Sequence, residues 1–269
     1  MNFQRDRGAS AQPFILENGE GSGRYVIVCE HASNTVPDRF AALGLASEAL
    51  ESHIAWDPGA LQVARQLAVA LDAPLFWAAV SRLIIDCNRP LDAPDLIVRQ
   101  ADSIDVPGNV VGDDERRMRI ATVHEPFHAA LGRLIGGRLA AGRLTALVSV
   151  HSFTPVLNGI SRPWDIGVIF GRDRRLADML IAGLATDGSL VVGVNEPYSP
   201  VDRVFYTHER HAEPRNLASA MIEIRNDLIE DSASQRAMAA RLAGLIGQAP
   251  AALAVMAGNS VAQGSPGGV

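Results

Sequence analysis

Two histidines follow short apolar runs. His31 sits in Val28-Cys29-Glu30-His31-Ala32-Ser33-Asn34, and His151 in Ser149-Val150-His151-Ser152-Phe153. Neutral imidazole together with carboxylate is good zinc ligation, and a catalytic zinc commonly keeps three protein ligands and one open position. His31 and His151 form the natural pair. Asp57 is the leading third ligand; its competing reading is a plain N-cap of the helix that follows. Glu30 is the reserve, although its side chain should leave the strand on the face opposite His31. Glu223 lies between Ile222 and Ile224. It suits a general base that takes a proton from water at the metal, or a salt bridge with Arg225. Arg82, Asn88, Arg89 and Arg225 offer donors for a substrate carboxylate, with an Arg82–Asp86 ion pair as the alternative for the first. His211, in the run Tyr206-Thr207-His208-Glu209-Arg210-His211, is a further candidate substrate contact.

His124-Glu125-Pro126-Phe127-His128 matches the H-E-x-x-H pattern of zinc proteases. That chemistry needs both histidines on one face of an unbroken helix. Proline removes a backbone donor and disfavours helical geometry in the residue before it. The expectation is that the helix is interrupted near Pro126 and that His124 and His128 are not a metal pair. His128 stays a candidate substrate contact.

Positioning these residues requires strands. Apolar runs at Tyr25–Cys29, 75–80, 83–87, 144–150, 166–170, 190–194 and 220–225 read as strands. Amphipathic segments at 58–71, 113–139, 173–185 and 232–246 read as helices, the first with Asp57 as N-cap and Pro58 at its first position. Strands alternating with helices imply an α/β fold, a mostly parallel sheet covered by helices on both faces. Ligands in such sheets bind beyond the carboxyl ends of the strands. The two histidines and several carboxylates and arginines would then share one rim. Residues 1–23 read as an N-terminal arm, loose or at a sheet edge, 24–248 as a single domain, and 249–269 as a loosely ordered tail.

The chain has 269 residues, enough for a sizeable core. Its net charge of −6 argues against a basic nucleic-acid footprint. Every basic side chain apart from histidine is arginine, so lysine Schiff-base chemistry is excluded. Two cysteines make no disulfide framework, and no apolar stretch approaches the roughly 18 residues of a membrane span. With no apolar signal-peptide core at the N-terminus, the expectation is a cytoplasmic protein that binds neither nucleic acid nor membrane.

The ordered pieces resemble the N-formylglutamate amidohydrolase family. They are Val28 to Asn34 with Pro37, Ser81-Arg82-Leu83-Ile84-Ile85-Asp86-Cys87-Asn88-Arg89-Pro90, His124 and His128 around Pro126-Phe127, Ser149 to Phe153, and Ile222-Glu223-Ile224-Arg225-Asn226-Asp227-Leu228-Ile229. The resemblance covers roughly residues 24–247. It implies a zinc-exopeptidase-like fold, a Zn2+ cofactor and hydrolysis of an N-acyl amino acid, with N-formylglutamate giving formate and glutamate as the family's named reaction. The Asp86-x-Asn88-Arg89 piece is also similar to one that helps hold substrate in aspartoacylase-type enzymes. Those enzymes carry His-x-x-Glu as a zinc motif; here Asn34 stands at the fourth position, which leaves the third ligand open between Asp57 and Glu30. Two other classes compete: a metal-independent hydrolase using Ser152 or Ser33, for which no G-x-S-x-G elbow is present, and a metal-free carboxylate-binding protein. A zinc hydrolase of another N-acyl compound is the near alternative.

Overall fold

The computed structural model describes residues 12–143, 146–186 and 188–249. The start of the expected arm, the first two residues of the strand expected from Leu144, and nearly all of the expected tail lie outside them. In chain order the strands are β1 (Phe14–Glu17), β2 (Tyr25–Cys29), β3 (Leu75–Ala78), β4 (Gln100–Ala101), β5 (Ile104–Asp105), β6 (Ala146–Phe153), β7 (Val156–Leu157), β8 (Ile160–Ser161), β9 (Ile166–Ile169), β10 (Val192–Val194) and β11 (Ala218–Arg225). The helices are α1 (Ser47–Glu51), α2 (Ala60–Ala70), α3 (Asp113–Arg119), α4 (Glu125–Ala140), α5 (Arg175–Ala185), α6 (Tyr206–His211) and α7 (Ser232–Ile246).

Seven strands form one sheet in the order β1-β3-β2-β6-β11-β9-β10. The central run β3-β2-β6-β11 is parallel; β1 and β9 join it antiparallel, and β10 runs parallel to β9. β2 and β6 are buried along their whole length, as strands covered on both faces are. Odd residues Tyr25, Ile27 and Cys29 of β2 pack with α2, α5 and α7, while even residues Val26 and Val28 face Phe127, Leu131 and Ile135 of α4. Those three α4 residues recur every four positions, the helical spacing of one apolar stripe. The architecture is therefore the expected α/β arrangement with helices on both faces. β1 arises from the segment expected as an arm and takes its edge form.

Three local expectations fail. Leu83–Cys87 is not a strand: its apolar side chains are buried in a turn-rich loop over the core. An apolar run reports burial, and burial can be met without a ladder. Asp57 does not cap a helix, because α2 begins at Ala60 with Gly59 as its cap. Pro126 does not break its helix either. A π-turn over Ile120–His124 joins α3 to α4, with Glu125 N–H bonded to Ile120 C=O. The wider turn lies just ahead of Pro126, in the first turn of α4, where a missing donor is tolerated.

Candidate metal centre

Register across three strands builds the site. Val28 pairs with Ser149, so the next same-face residue, Glu30, falls beside His151; on the other side His151 pairs with Glu223. Side-chain alternation sends Glu30, Ser149, His151 and Glu223 to one face at the carboxyl end of the parallel strands. Asp57 joins them because its backbone N–H donates to the carbonyl of His31 at 2.9 Å. His31, Asp57, His151 and Glu223 line a cavity of about 80 Å³, together with Arg82, Asn88, Arg89, Ser152, Tyr198 and Val204.

His31, Asp57 and His151 are buried, and each offers one ligand atom such that all three lie within 4.8 Å of one another. His151 Nδ1 is 2.8 Å from Asp57 Oδ2, and His31 Nδ1 is 3.4 Å from the same oxygen. The opposite nitrogens are held from outside. His31 Nε2 donates to Asp86 Oδ1 at 2.8 Å, and His151 Nε2 donates to Glu30 Oε2 at 3.0 Å. Each Nε2–H is thereby fixed by a carboxylate, which turns each Nδ1 toward Asp57, the arrangement by which an outer carboxylate sets the tautomer of a ligating histidine. His31 Nδ1 is buried with no hydrogen-bond partner. An orphaned imidazole nitrogen facing a carboxylate and a second imidazole fits a divalent cation, so the triad can hold a metal ion. Glu30, the reserve ligand, is instead the carboxylate behind His151.

Charge follows from this packing. Burial works against ionising Asp57, but His31 and His151 outweigh it and hold the carboxyl well below the usual range. Burial likewise opposes charge on His151, yet Glu30 and Asp57 hold its pKa well above the ordinary value. For Glu223 burial wins: its pKa is pushed up to about 7, His151 pulling down only in part while Asp57 adds to the rise. Glu223 Oε2 is buried without a partner. A carboxyl poised near neutrality with a free oxygen in the cavity can both accept and return a proton.

The arginines are placed less simply than the sequence suggested. Arg82 reaches the cavity, but Nη2 meets Asp86 at 2.9 Å and Nη1 meets Asp57 at 3.5 Å. Arg89 also lines it and is engaged by Asp95 at 2.9 Å and by the carbonyl of Asp202. Asn88 donates its amide to Val204 C=O and accepts from Thr207 N–H at 3.1 Å, tying the segment before α6 to the loop. Arg225 does not reach the cavity: it pairs with Asp165 and Asp227, each at 2.8 Å. His128 and His211 do not reach it either. His128 Nε2 donates to Cys87 C=O at 2.8 Å, and its Nδ1 accepts from His211 Nε2 at 3.0 Å. His124 Nε2 donates to Arg89 C=O at 3.0 Å. His124, the last residue of the π-turn, and His128 of α4 lie with ring centroids 4.5 Å apart, and together they clamp the 86–90 loop that carries Asp86 and Arg89. Their ring nitrogens serve the loop although the helix is unbroken, so the geometric reason given for doubting the zinc-protease reading was mistaken.

Sequence reasoning passed over Ser149, His208, Tyr198 and Arg162. Ser149 Oγ donates to Glu30 Oε1 at 2.9 Å, and His208 Nε2 donates to Ser149 Oγ at 3.0 Å. Strand parity could have signalled Ser149, which lies two residues before His151. The other three come from loops and a short helix, where no periodicity marks a site.

Similarity to known proteins accords with this geometry. No curated protein matches. In structure the chain is similar to the gene product Atu2144 from Agrobacterium tumefaciens, with 42% identity and a TM-score of 0.88 over 90% of this chain and 96% of that one. It is also similar to the N-formylglutamate amidohydrolase from Ralstonia eutropha JMP134, with 21% identity and a TM-score of 0.63 over 91% and 99%, a likeness of fold. The model of the N-formylglutamate amidohydrolase family matches residues 23–230, a span that holds every strand from β2 to β11 and the whole His31–Asp57–His151 group. On that match the chain belongs to the N-formylglutamate amidohydrolase family.

Proposed function

We propose that the protein is a zinc-dependent amidohydrolase acting on a linear N-acyl amino acid, with N-formylglutamate, giving formate and glutamate, as the leading substrate. The observation that carries the reading is the convergence of an orphaned His31 Nδ1 and an orphaned Glu223 Oε2 on one buried cavity. His31, Asp57 and His151 would hold the ion. Zinc, when bound, supplies Lewis acidity toward the amide carbonyl and toward water.

The chain's own residues supply the rest. Glu223 takes a proton from the attacking water at Oε2, the water oxygen bonds to the acyl carbon, and the C–N bond breaks as Glu223 returns the proton to the leaving nitrogen. Glu223 is itself buried in the cavity, which limits the access of bulk water to that proton. Arg82 neutralises Asp86 and faces Asp57, balancing a group of carboxylates that would otherwise repel an anionic substrate.

The test is elemental analysis of purified protein combined with formate release from N-formylglutamate. About one zinc per chain with turnover that a chelator abolishes is the expected result. Turnover unchanged by complete metal removal would sink the proposal. His31→Ala and His151→Ala should each strip the metal.

A further inference from the structure

Each arginine that the sequence offered for a substrate carboxylate already has a protein carboxylate: Asp86 and Asp57 for Arg82, Asp95 for Arg89, Asp165 and Asp227 for Arg225. Arg162, which follows β8, does not. It is 8% exposed. Nε donates to Thr154 C=O at 2.7 Å, and Nη1 donates to the Tyr198 hydroxyl at 2.8 Å. The guanidinium lies over the rings of Phe153 and Tyr198, 4.9 and 5.3 Å from their centroids. Nη2 is buried with no partner. Among the described residues no carboxylate lies within ion-pair distance of it.

Buried guanidinium groups are ordinarily paired, because an uncompensated charge in a low-dielectric interior is costly. Here two neutral oxygens and two ring faces stand in for a counter-ion. Tyr198 lines the metal cavity alongside Glu223. Its hydroxyl accepts from Arg162, which leaves the phenol proton to donate elsewhere. We infer that Arg162 and Tyr198 together form the carboxylate-recognition element of the site, receiving a carboxylate of the amino-acid substrate as the missing counter-charge. The assignment rests on the proposed amino-acid substrate. It gives specificity for an anion to a guanidinium whose one partner on the cavity wall is Tyr198.

The experiment uses glutarate, a dicarboxylate with no bond to cleave, titrated calorimetrically into the purified full chain, with glutaramide as the uncharged control. Wild type is expected to bind glutarate and not glutaramide. Arg162→Gln should weaken glutarate about tenfold or more, the worth of a charge-assisted contact. It should also raise KM for N-formylglutamate by a similar factor while moving kcat less than about threefold. Removing an unpaired buried charge should leave the melting temperature at or above wild type, whereas a purely structural role would lower it and spare binding. If Arg162→Gln fails to fold, Arg162→Lys keeps the charge but not the planar fork, and a loss of about threefold or more is expected. Equal glutarate binding by wild type and the folded variant overturns the inference, as does wild type that ignores glutarate or fails to prefer it over glutaramide. Should wild type bind glutarate but not hydrolyse N-formylglutamate, the substrate named above falls while the anion site stands.

Discussion

Glu30→Gln should weaken zinc binding about 10- to 100-fold without unfolding the chain. Protons along the chain of hydrogen bonds are fully assigned: His208 Nε2–H to Ser149 Oγ, Ser149 Oγ–H to Glu30 Oε1, and His151 Nε2–H to Glu30 Oε2. Glutamine at position 30 supplies one acceptor and one donor where two acceptors are needed. If its oxygen faces His151, its NH2 faces Ser149. Ser149 must then turn its proton to His208, and the proton of His208 moves to Nδ1, which is buried without a partner. If its NH2 faces His151, the imidazole proton is driven to Nδ1, the atom that faces Asp57. The first arrangement replaces a charge-assisted hydrogen bond, worth about 1.5–3 kcal/mol, by a neutral one of about 0.5–1.5. The second blocks a ligand atom. The difference of about 1–2.5 kcal/mol is of the order of the 10- to 100-fold loss seen when carboxylates behind ligating histidines are replaced. Competition with a chromophoric zinc chelator at pH 7.5 reads the affinity. Ser149→Ala, which leaves the Glu30–His151 bond, should cost far less. A folded Glu30→Gln protein binding zinc within twofold of wild type would refute the reasoning.

Other expectations follow from the same geometry. Glu223→Gln should keep the fold and the metal while lowering kcat by about 10²–10⁴-fold, the usual worth of general acid–base catalysis; metal loss measured in that variant would instead make Glu223 a ligand. Zinc uptake should release protons, because His151 is held protonated between Glu30 and Asp57; affinity should rise with pH, by up to about tenfold per unit for each proton displaced, and titration in buffers of different ionisation enthalpy counts those protons. Acid should destabilise the metal-free protein through His208, whose pKa burial lowers to about 3. Its folded pKa lies below the unfolded value, so its stabilising effect is complete above about pH 6.5 and is lost as pH falls from there toward 3. Between pH 6.5 and 5 that amounts to about 2 kcal/mol. Urea midpoints should therefore converge for wild type and His208→Gln over that window, and a constant gap would count against the assignment.

Much of the site was legible because strand chemistry is local. Tyr25–Cys29 and Ala146–Phe153 are apolar runs that end in histidine-bearing polar residues, and the sheet rule places both ends on one rim. Asp57 was legible as the leading third ligand near that rim, but the sequence alone left a helix cap open as its competing reading, because the choice turns on Gly59 delaying α2 to Ala60. Glu30 was misread for a related reason. It follows the end of β2, and its partner His151 belongs to a strand about 120 residues later; pairing register across that distance is set by tertiary packing. The 83–87 error came from equating an apolar run with a strand. The Pro126 error came from allowing only α-helical bonding around a proline.

The arginines expose the limit most clearly. A sequence shows which residues carry charge, not which charges are already compensated. Arg82, Arg89 and Arg225 stand beside the expected catalytic motifs, and aspartates close to each in sequence or in space engage all three. Arg162 stands beside no motif, between the small β8 strand and a proline, yet among the described residues it is the buried guanidinium that meets only neutral groups and bonds a residue of the cavity wall, Tyr198. Arg138 also meets only neutral groups, but these are the carbonyls of Gly21 and Gly23, which do not line the cavity. Anion recognition in a carboxylate-rich cavity needs a cation whose charge is unspent, because a guanidinium held in a bidentate or bridging pair presents little net field to a third party. The residue fitted to hold an anionic substrate is therefore found by accounting for every carboxylate in the folded chain. Proximity of an arginine to the metal ligands in the sequence does not identify it.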